Sequence, residues 1–231
     1  MKEALVTGGA GFIGSNLVHE LSGLGWIVDV VDDLSNGHYE FLSPLNVKSI
    51  PVFMLRKYEE EYEKDRVKDQ VLFFESDFES EHIFSRIKRG YYDVIFHLAA
   101  SPRVEFTVQN PAKTTDINVT RTLSLIEAVR DSANKPRIVF SSTCAVYGDA
   151  VEIPTTEHCE KYPLSPYGLQ KSMVEDFLRM SSRLYGIDAV SLRYFNVYGP
   201  MQLGDSPYST VVSAWCHKLK NGEFLRSDGD G

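Results

Sequence analysis

"TGGAGFIG", Thr7 to Gly14, sits between a short apolar run and the first amphipathic stretch of the chain. Glycine weakens regular structure, so a cluster at this junction implies a tight turn or a close backbone approach. The flanking pattern tells which elements it joins. Ala4–Thr7, Trp26–Asp32, Val71–Ser76, Asp93–Leu98, Arg137–Ser141 and Ala189–Tyr194 read as strands, rich in Val, Ile and Phe without strict polar alternation. Such runs suit a parallel sheet covered on both faces. Helical patterns follow at Phe12–Leu24, Glu79–Arg89, Pro111–Asp131, Ser165–Tyr185 and Tyr208–Lys220. Strand and helix in regular succession predict an α/β fold built on a doubly wound parallel sheet.

The glycines then fall on the first strand-to-helix turn. Gly9-Ala10-Gly11-Phe12-Ile13-Gly14 matches the G-x-G-x-x-G spacing, and Gly8, Gly11 and Gly14 give an overlapping one. That pattern serves a tight turn, a backbone close to a pyrophosphate, and close helix-on-strand packing. Free N–H groups at the helix start then stabilise phosphate charge. A plain tight turn satisfies the glycines alone. Asp32 adds to them, because it ends the second strand at the spacing of a carboxylate that accepts from a ribose hydroxyl. The same charge repels a 2′-phosphate and favours NAD over NADP. Together these features predict a Rossmann-type NAD-binding domain over residues 1–195, with the start of a smaller substrate lobe at 196–231.

With 231 residues, the chain suits one large domain or a domain with a smaller lobe. It is 43% hydrophobic and 24% charged, enough for a sizeable core. A net charge of -8 argues against a nucleic-acid partner. No apolar stretch is long enough to cross a bilayer, and MKEALVTGG lacks the apolar core of a signal peptide. Cys144, Cys159 and Cys216 are odd in number and widely spaced, which fits reduced thiols in a cytoplasmic protein better than disulfides or a metal site. Arg56–Asp69 is mostly charged with both signs mixed, and reads as a solvated helical insertion rather than a binding arm. Gly199–Pro207 reads as a surface connection.

Tyr167 and Lys171 lie four apart in a helical pattern, so they share a face. A phenol ordinarily titrates near 10, and a neighbouring ammonium favours the phenolate. Bringing it to about 7 requires about 4 kcal/mol of preferential stabilisation, within reach of that ammonium and a cationic nicotinamide in a partly dry cleft. A bare Tyr-x-x-x-Lys is also the pattern of a surface aromatic with a snorkelling lysine. The upstream glycines, and Thr143 just past a strand end where ligands of doubly wound sheets sit, favour the chemical reading.

These segments resemble the extended short-chain dehydrogenase/reductases. "HLAA" at His97–Ala100, "FSSTCAVYG" at Phe140–Gly148, "SPYGLQKSMVE" at Ser165–Glu175 and "LRYFNVYGP" at Leu192–Pro200 follow "TGGAGFIG" in the family's order. Within it the chain is most similar to the nucleotide-sugar epimerases of the UDP-galactose 4-epimerase branch. The resemblance implies NAD contacts from Gly8, Gly11, Phe12, Ile13, Gly14, Asp32, Asp77, Phe78, Leu98, Ala99, Ala100, Ser141, Tyr167 and Lys171. Asp77 would meet the adenine, and Lys171 the nicotinamide ribose. It assigns Tyr167 as base, Lys171 as its tuner, and Thr143 as the hydroxyl on the sugar's reacting oxygen. Ser142 and Asn196 would contact substrate, Asn196 at the diphosphate, and Asn118 would support the site. Without the family, "HLAA" reads as a buried strand end, Asn118 as a solvent-facing residue, and Asn196 equally as a turn residue.

The implied activity is NAD-dependent 4-epimerisation of a UDP-hexose through a 4-keto intermediate, in a homodimer. Related 4,6-dehydratases and decarboxylases carry an acid shortly after the catalytic Thr, whereas Thr143-Cys144-Ala145-Val146 has none. Asp33 departs from the Asn common in epimerases. Family members continue past Gly231, so the substrate lobe reads as incomplete, and a non-catalytic NAD-binding module is the reading from another class.

Overall fold

The computed structural model describes residues 2–61, 70–149, 151–204 and 210–225. Two compact units divide the chain, Met1–Tyr194 and Phe195–Gly231. In the first, seven strands form one parallel sheet: β1 (Glu3–Thr7), β2 (Ile27–Asp32), β3 (Asn46–Ser49), β4 (Gln70–Glu75), β5 (Val94–His97), β6 (Arg137–Thr143) and β7 (Ala189–Tyr194). Their order is β3-β4-β2-β1-β5-β6-β7, doubly wound as the alternating pattern predicts. The order reverses between β1 and β5, the place where such sheets open a ligand crevice.

Apolar residues on both strand faces explain why helices cover the sheet twice. Ala4, Val6, Val28, Val30, Val71 and Phe73 pack with Val18 and Leu21 of α1 (Phe12–Gly23). On the opposite face Leu5, Val31, Leu72, Phe74, Ile95, Ile138 and Phe140 join side chains of α3 (Glu81–Lys88), α6 (Arg121–Arg130) and α7 (Pro166–Tyr185). Helix α7 follows its sequence signals closely: Ser165 caps it by accepting from Gly168 N, Pro166 occupies its first turn, and Gly186 ends it at φ 68°.

Three elements differ from the sequence reading. The single helix expected over Pro111–Asp131 is α5 (Pro111–Thr115), a π turn (Asp116–Thr120) and α6. The turn rotates Asn118 inward, where it is 2% exposed rather than solvent-facing. A short helix α4 (Val104–Gln109) precedes it, and β3 is an edge strand outside the predicted set. Of the charged segment, α2 (Leu55–Glu61) is helical, and 62–69 lie outside the described residues. In the second unit α8 spans Val211–Lys220; Tyr208 and Ser209, the expected start, also lie outside. No helix among the described residues is long and apolar enough to cross a membrane.

Candidate active site

A cleft of about 770 Å³ opens at the C-terminal ends of β1, β2, β5 and β6. Every residue that the family resemblance assigns to NAD lines it: Gly8, Gly11, Phe12, Ile13, Gly14, Asp32, Asp77, Phe78, Leu98, Ala99, Ala100, Ser141, Tyr167 and Lys171.

The glycine requirement is steric. Gly8 has φ +70°, and a Cβ there would meet Ala99 N at 2.7 Å. A Cβ on Gly14 would strike the Gly8 carbonyl oxygen and come within 2.7 Å of Gly9 Cα. Helix α1 therefore starts directly against the turn. Its N-cap, Gly11, offers no side-chain cap, so the first N–H groups of the helix stand at the cleft. Nearby, Asp32 Oδ2 accepts from Ala10 N and Oδ1 from Leu34 N, each at 2.9 Å. Burial holds this carboxyl above its usual value while the two N–H bonds pull the other way. Asp77 accepts from Glu79 N at 2.9 Å and pairs with Arg121, which also binds Asp116 at 2.8 Å.

Behind the cleft runs a chain of directed hydrogen bonds. Thr7 Oγ1 accepts from Ala99 N at 3.2 Å and lies 2.7 Å from His97 Nδ1. His97 Nε2 lies 2.9 Å from Thr122 Oγ1, which donates to the Asn118 carbonyl at 3.0 Å. That last donation leaves Thr122 as the acceptor, so the Nε2–H tautomer closes the chain. Burial first, and the Lys171 charge second, push His97 down to about 3, so it stays neutral. Asn118 accepts from Ser101 N at 2.7 Å and donates to Gln170 Oε1 at 2.8 Å. Gln170 in turn donates to Thr114 and Thr115. The loop after β5 is thereby fastened to α7 one turn beyond Tyr167.

Tyr167 and Lys171 share a face of α7, as their spacing predicts, and in the protein alone burial dominates both groups. Burial pushes the phenol up to about 12 and the ammonium down to about 7. Lys171 Nζ donates to the Ser141 carbonyl at 2.8 Å and stands 5.9 Å from the Tyr167 ring centroid. Desolvation sets the phenol's value, and the neighbouring Cys144 adds to it in the same direction.

The substrate residues are not all gathered. Ser142 lines the cleft and donates to Glu175 Oε1. Thr143 is outside the lining residues; its Oγ1 accepts from Ala145 N at 3.2 Å, which leaves its proton available. Asn196 belongs to the second unit and is exposed in a bend. Sequence reasoning missed Arg121, Arg103, Phe106, Lys113, Ile117 and Tyr194, which also line the cleft. No spacing marks them in the sequence. Among the described residues no cluster of His, Cys, Asp and Glu could hold a metal ion.

A doubly wound sheet, a glycine turn against an uncapped helix start and an acid ending β2 define a dinucleotide-binding class of protein. More narrowly, the chain belongs to the NAD dependent epimerase/dehydratase family, whose model matches residues 4–231. It is 35% identical over 198 residues to the UDP-glucose 4-epimerase of Lactobacillus helveticus, covering 85% of this chain and 52% of that one. The UDP-N-acetylglucosamine 4-epimerase of Methanobrevibacter ruminantium, solved with UDP-N-acetylmuramic acid, superposes with TM-score 0.83 at 33% identity, covering all of this chain and 67% of that one. The UDP-glucose 4-epimerase of Thermotoga maritima, solved with UDP-glucose, gives TM-score 0.80 at 34% identity, covering 99% and 66%. The chain spans about half to two thirds of the length of the curated relatives it matches.

Proposed function

We propose that this chain carries the cofactor-binding and catalytic part of an NAD-dependent UDP-hexose 4-epimerase. The observation that supports this most is the single cleft joining the glycine turn and Asp32 to Ser142, Tyr167 and Lys171. The tight turn that Gly8 and Gly14 permit brings the start of α1 to the cleft, and the free N–H groups of that helix fit the charge of a pyrophosphate. Asp32 would take the adenosine ribose, Asp77 the adenine and Lys171 the nicotinamide ribose. When bound, NAD supplies the reversible oxidation of the sugar carbon and, in its oxidised form, a positive charge.

Tyr167 would take the proton of the sugar 4-hydroxyl and return it when the alkoxide re-forms. At about 12 the phenol is no base at neutral pH, so it acts only once positive charge enters the dry cleft. Thr143 would donate to the reacting oxygen with the proton that its bond to Ala145 leaves free. Between the two half-reactions the 4-keto sugar presents its opposite face. The stretch Thr143–Val146 lacks the carboxylate that dehydration or decarboxylation would use. By the same reading residues 196–231 open the substrate lobe, with Asn196 at the diphosphate.

Incubation of purified protein with UDP-galactose should yield UDP-glucose and no dehydrated or decarboxylated sugar. Tight NAD binding with no turnover of any UDP-hexose would instead favour a binding module.

A homodimer and a cytoplasmic location complete the proposal. Leu169, Met173, Met180 and Leu184 are exposed along α7, beside Val104 and Val108 of α4. A contiguous apolar face of this kind suits a second copy. Sedimentation should report a dimer that Leu169→Glu with Met180→Glu dissociates. Free Cys144, Cys159 and Cys216 fit a reducing compartment, which cell fractionation would test.

A further inference from the structure

Ser142 Oγ lies 2.5 Å from Glu175 Oε1, and both residues are buried. That length is characteristic of a charge-assisted bond in which a hydroxyl donates to a carboxylate. Glu175 is held ionised by its neighbours. Arg193 donates through Nε to Oε1 at 3.0 Å and through Nη2 to Oε2 at 2.8 Å, a bidentate pair, and Lys161 Nζ stands 3.5 Å from Oε2. Burial would raise this carboxyl, but the bonds from Arg193 and Ser142 outweigh it and hold it below the usual range. Arg193 itself is anchored by Tyr147 Oη at 2.7 Å and the Glu157 carbonyl at 3.2 Å.

A serine has one hydroxyl proton. With that proton committed to Glu175, the Ser142 oxygen can offer the cleft only lone pairs. Thr143, the next residue, differs, because its oxygen accepts from Ala145 N and its proton meets no acceptor among the described residues. Successive side chains at the end of β6 thus ask for different groups.

We propose that Glu175, clamped by Arg193, is a positioning residue that fixes Ser142 as a hydrogen-bond acceptor for a non-reacting hydroxyl of the sugar. The substrate half of this proposal rests on the UDP-hexose reading above. A phosphate oxygen or the 4-keto oxygen at Ser142 would meet lone pair against lone pair. The reacting oxygen therefore belongs to Thr143 and Tyr167, and the diphosphate lies elsewhere.

Two measurements on the NAD-bound protein test this. In proton NMR, wild type should show a slowly exchanging downfield hydroxyl signal that Ser142→Ala abolishes and Glu175→Gln shifts upfield. In calorimetry, Ser142→Ala should weaken UDP-glucose by about 5- to 10-fold, the worth of one hydrogen bond, and leave UDP alone unchanged. Ser142→Ala keeps the Glu175–Arg193 pair, so this arm survives even if Glu175→Gln fails to fold. A missing wild-type signal overturns the fixed orientation whatever the turnover. Equal weakening of UDP and UDP-glucose, or no weakening of either, overturns the sugar contact. A wild type that shows the signal but binds no UDP-hexose rejects the functional reading and the sugar contact with it, while leaving Glu175 as the residue that orients Ser142.

Discussion

Lys171 Nζ donates to the carbonyl of Ser141 at 2.8 Å, so the end of β6 and the first turns of α7 share a buried amine. Burial lowers that amine from 10.5 to about 7. Between those values the unfolded chain holds a proton that the folded chain has lost, so stability rises with pH across the window. Below about pH 7 the full cost of a buried ammonium is present. Lys171→Met removes the titration and one hydrogen bond. It is expected to be more stable than wild type by about 2–4 kcal/mol at pH 7, the gap closing as pH approaches 10.5. Urea denaturation from pH 6 to 10 checks this, and a gap independent of pH would contradict the burial argument.

Gly8→Ala tests the turn. A left-handed φ of +70° and a methyl 2.7 Å from Ala99 N act together, because β1 and β5 are adjacent strands with no room to part. The expected loss is about 2–5 kcal/mol of stability, with NAD binding impaired in whatever fraction folds. A neutral substitution, read by thermal melting, would mean that the turn relaxes freely.

How far these features are legible in the sequence depends on how local their causes are. The glycine turn, Asp32 and the Tyr167–Lys171 pair lie at strand or helix ends with short-range signals, and they share one cleft. Edge strand β3 has four mostly exposed residues and no apolar period to betray it. The π turn at Asp116–Thr120 carries Asn118 to Ser101 and Gln170, partners that no helical window contains. Arg121 and Glu175 look like ordinary helix charges; Asp77 and Ser142, which give them roles, are 44 and 33 residues away. The phenol was least legible of all. Residue types show a phenol beside an amine, whereas the depth of its burial, a property of the folded chain alone, sets about 12 before any cofactor charge is present.

Asp32→Ala probes cofactor choice. The carboxylate is oriented by Ala10 N and Leu34 N and keeps further lone pairs for ribose hydroxyls, while its charge opposes a 2′-phosphate. The substitution should weaken NAD by about 10- to 100-fold, as expected for hydrogen bonds to a charged group, and NADP much less. Fluorescence titration of both reduced cofactors measures the two constants. Equal losses, or a wild type preferring NADP, would count against Asp32 as the ribose acceptor.

Tyr167→Phe isolates the proposed base. Only a hydroxyl leaves, from a side chain in the first turn of a well-capped helix, so fold and NAD binding should persist. Epimerisation should fall by about two to four orders of magnitude, the usual worth of general acid–base catalysis. The pH profile carries more information. In the protein alone the phenol sits at about 12 through burial, and a direct ultraviolet titration of the NAD-free protein should show this tyrosine still protonated at pH 10. Turnover at neutral pH then requires a lower value in the complete complex, set by the charged nicotinamide ring and by a Lys171 ammonium that a phenolate beside it would itself keep protonated. Wild-type turnover should level off well below pH 10, while Lys171→Met, lacking one of the two cations, should keep rising with pH toward about 10. The two profiles, measured on UDP-galactose conversion, separate the sources of the field. A Tyr167→Phe protein with near-normal turnover would end this mechanism, and identical profiles for wild type and Lys171→Met would assign the whole shift to the cofactor.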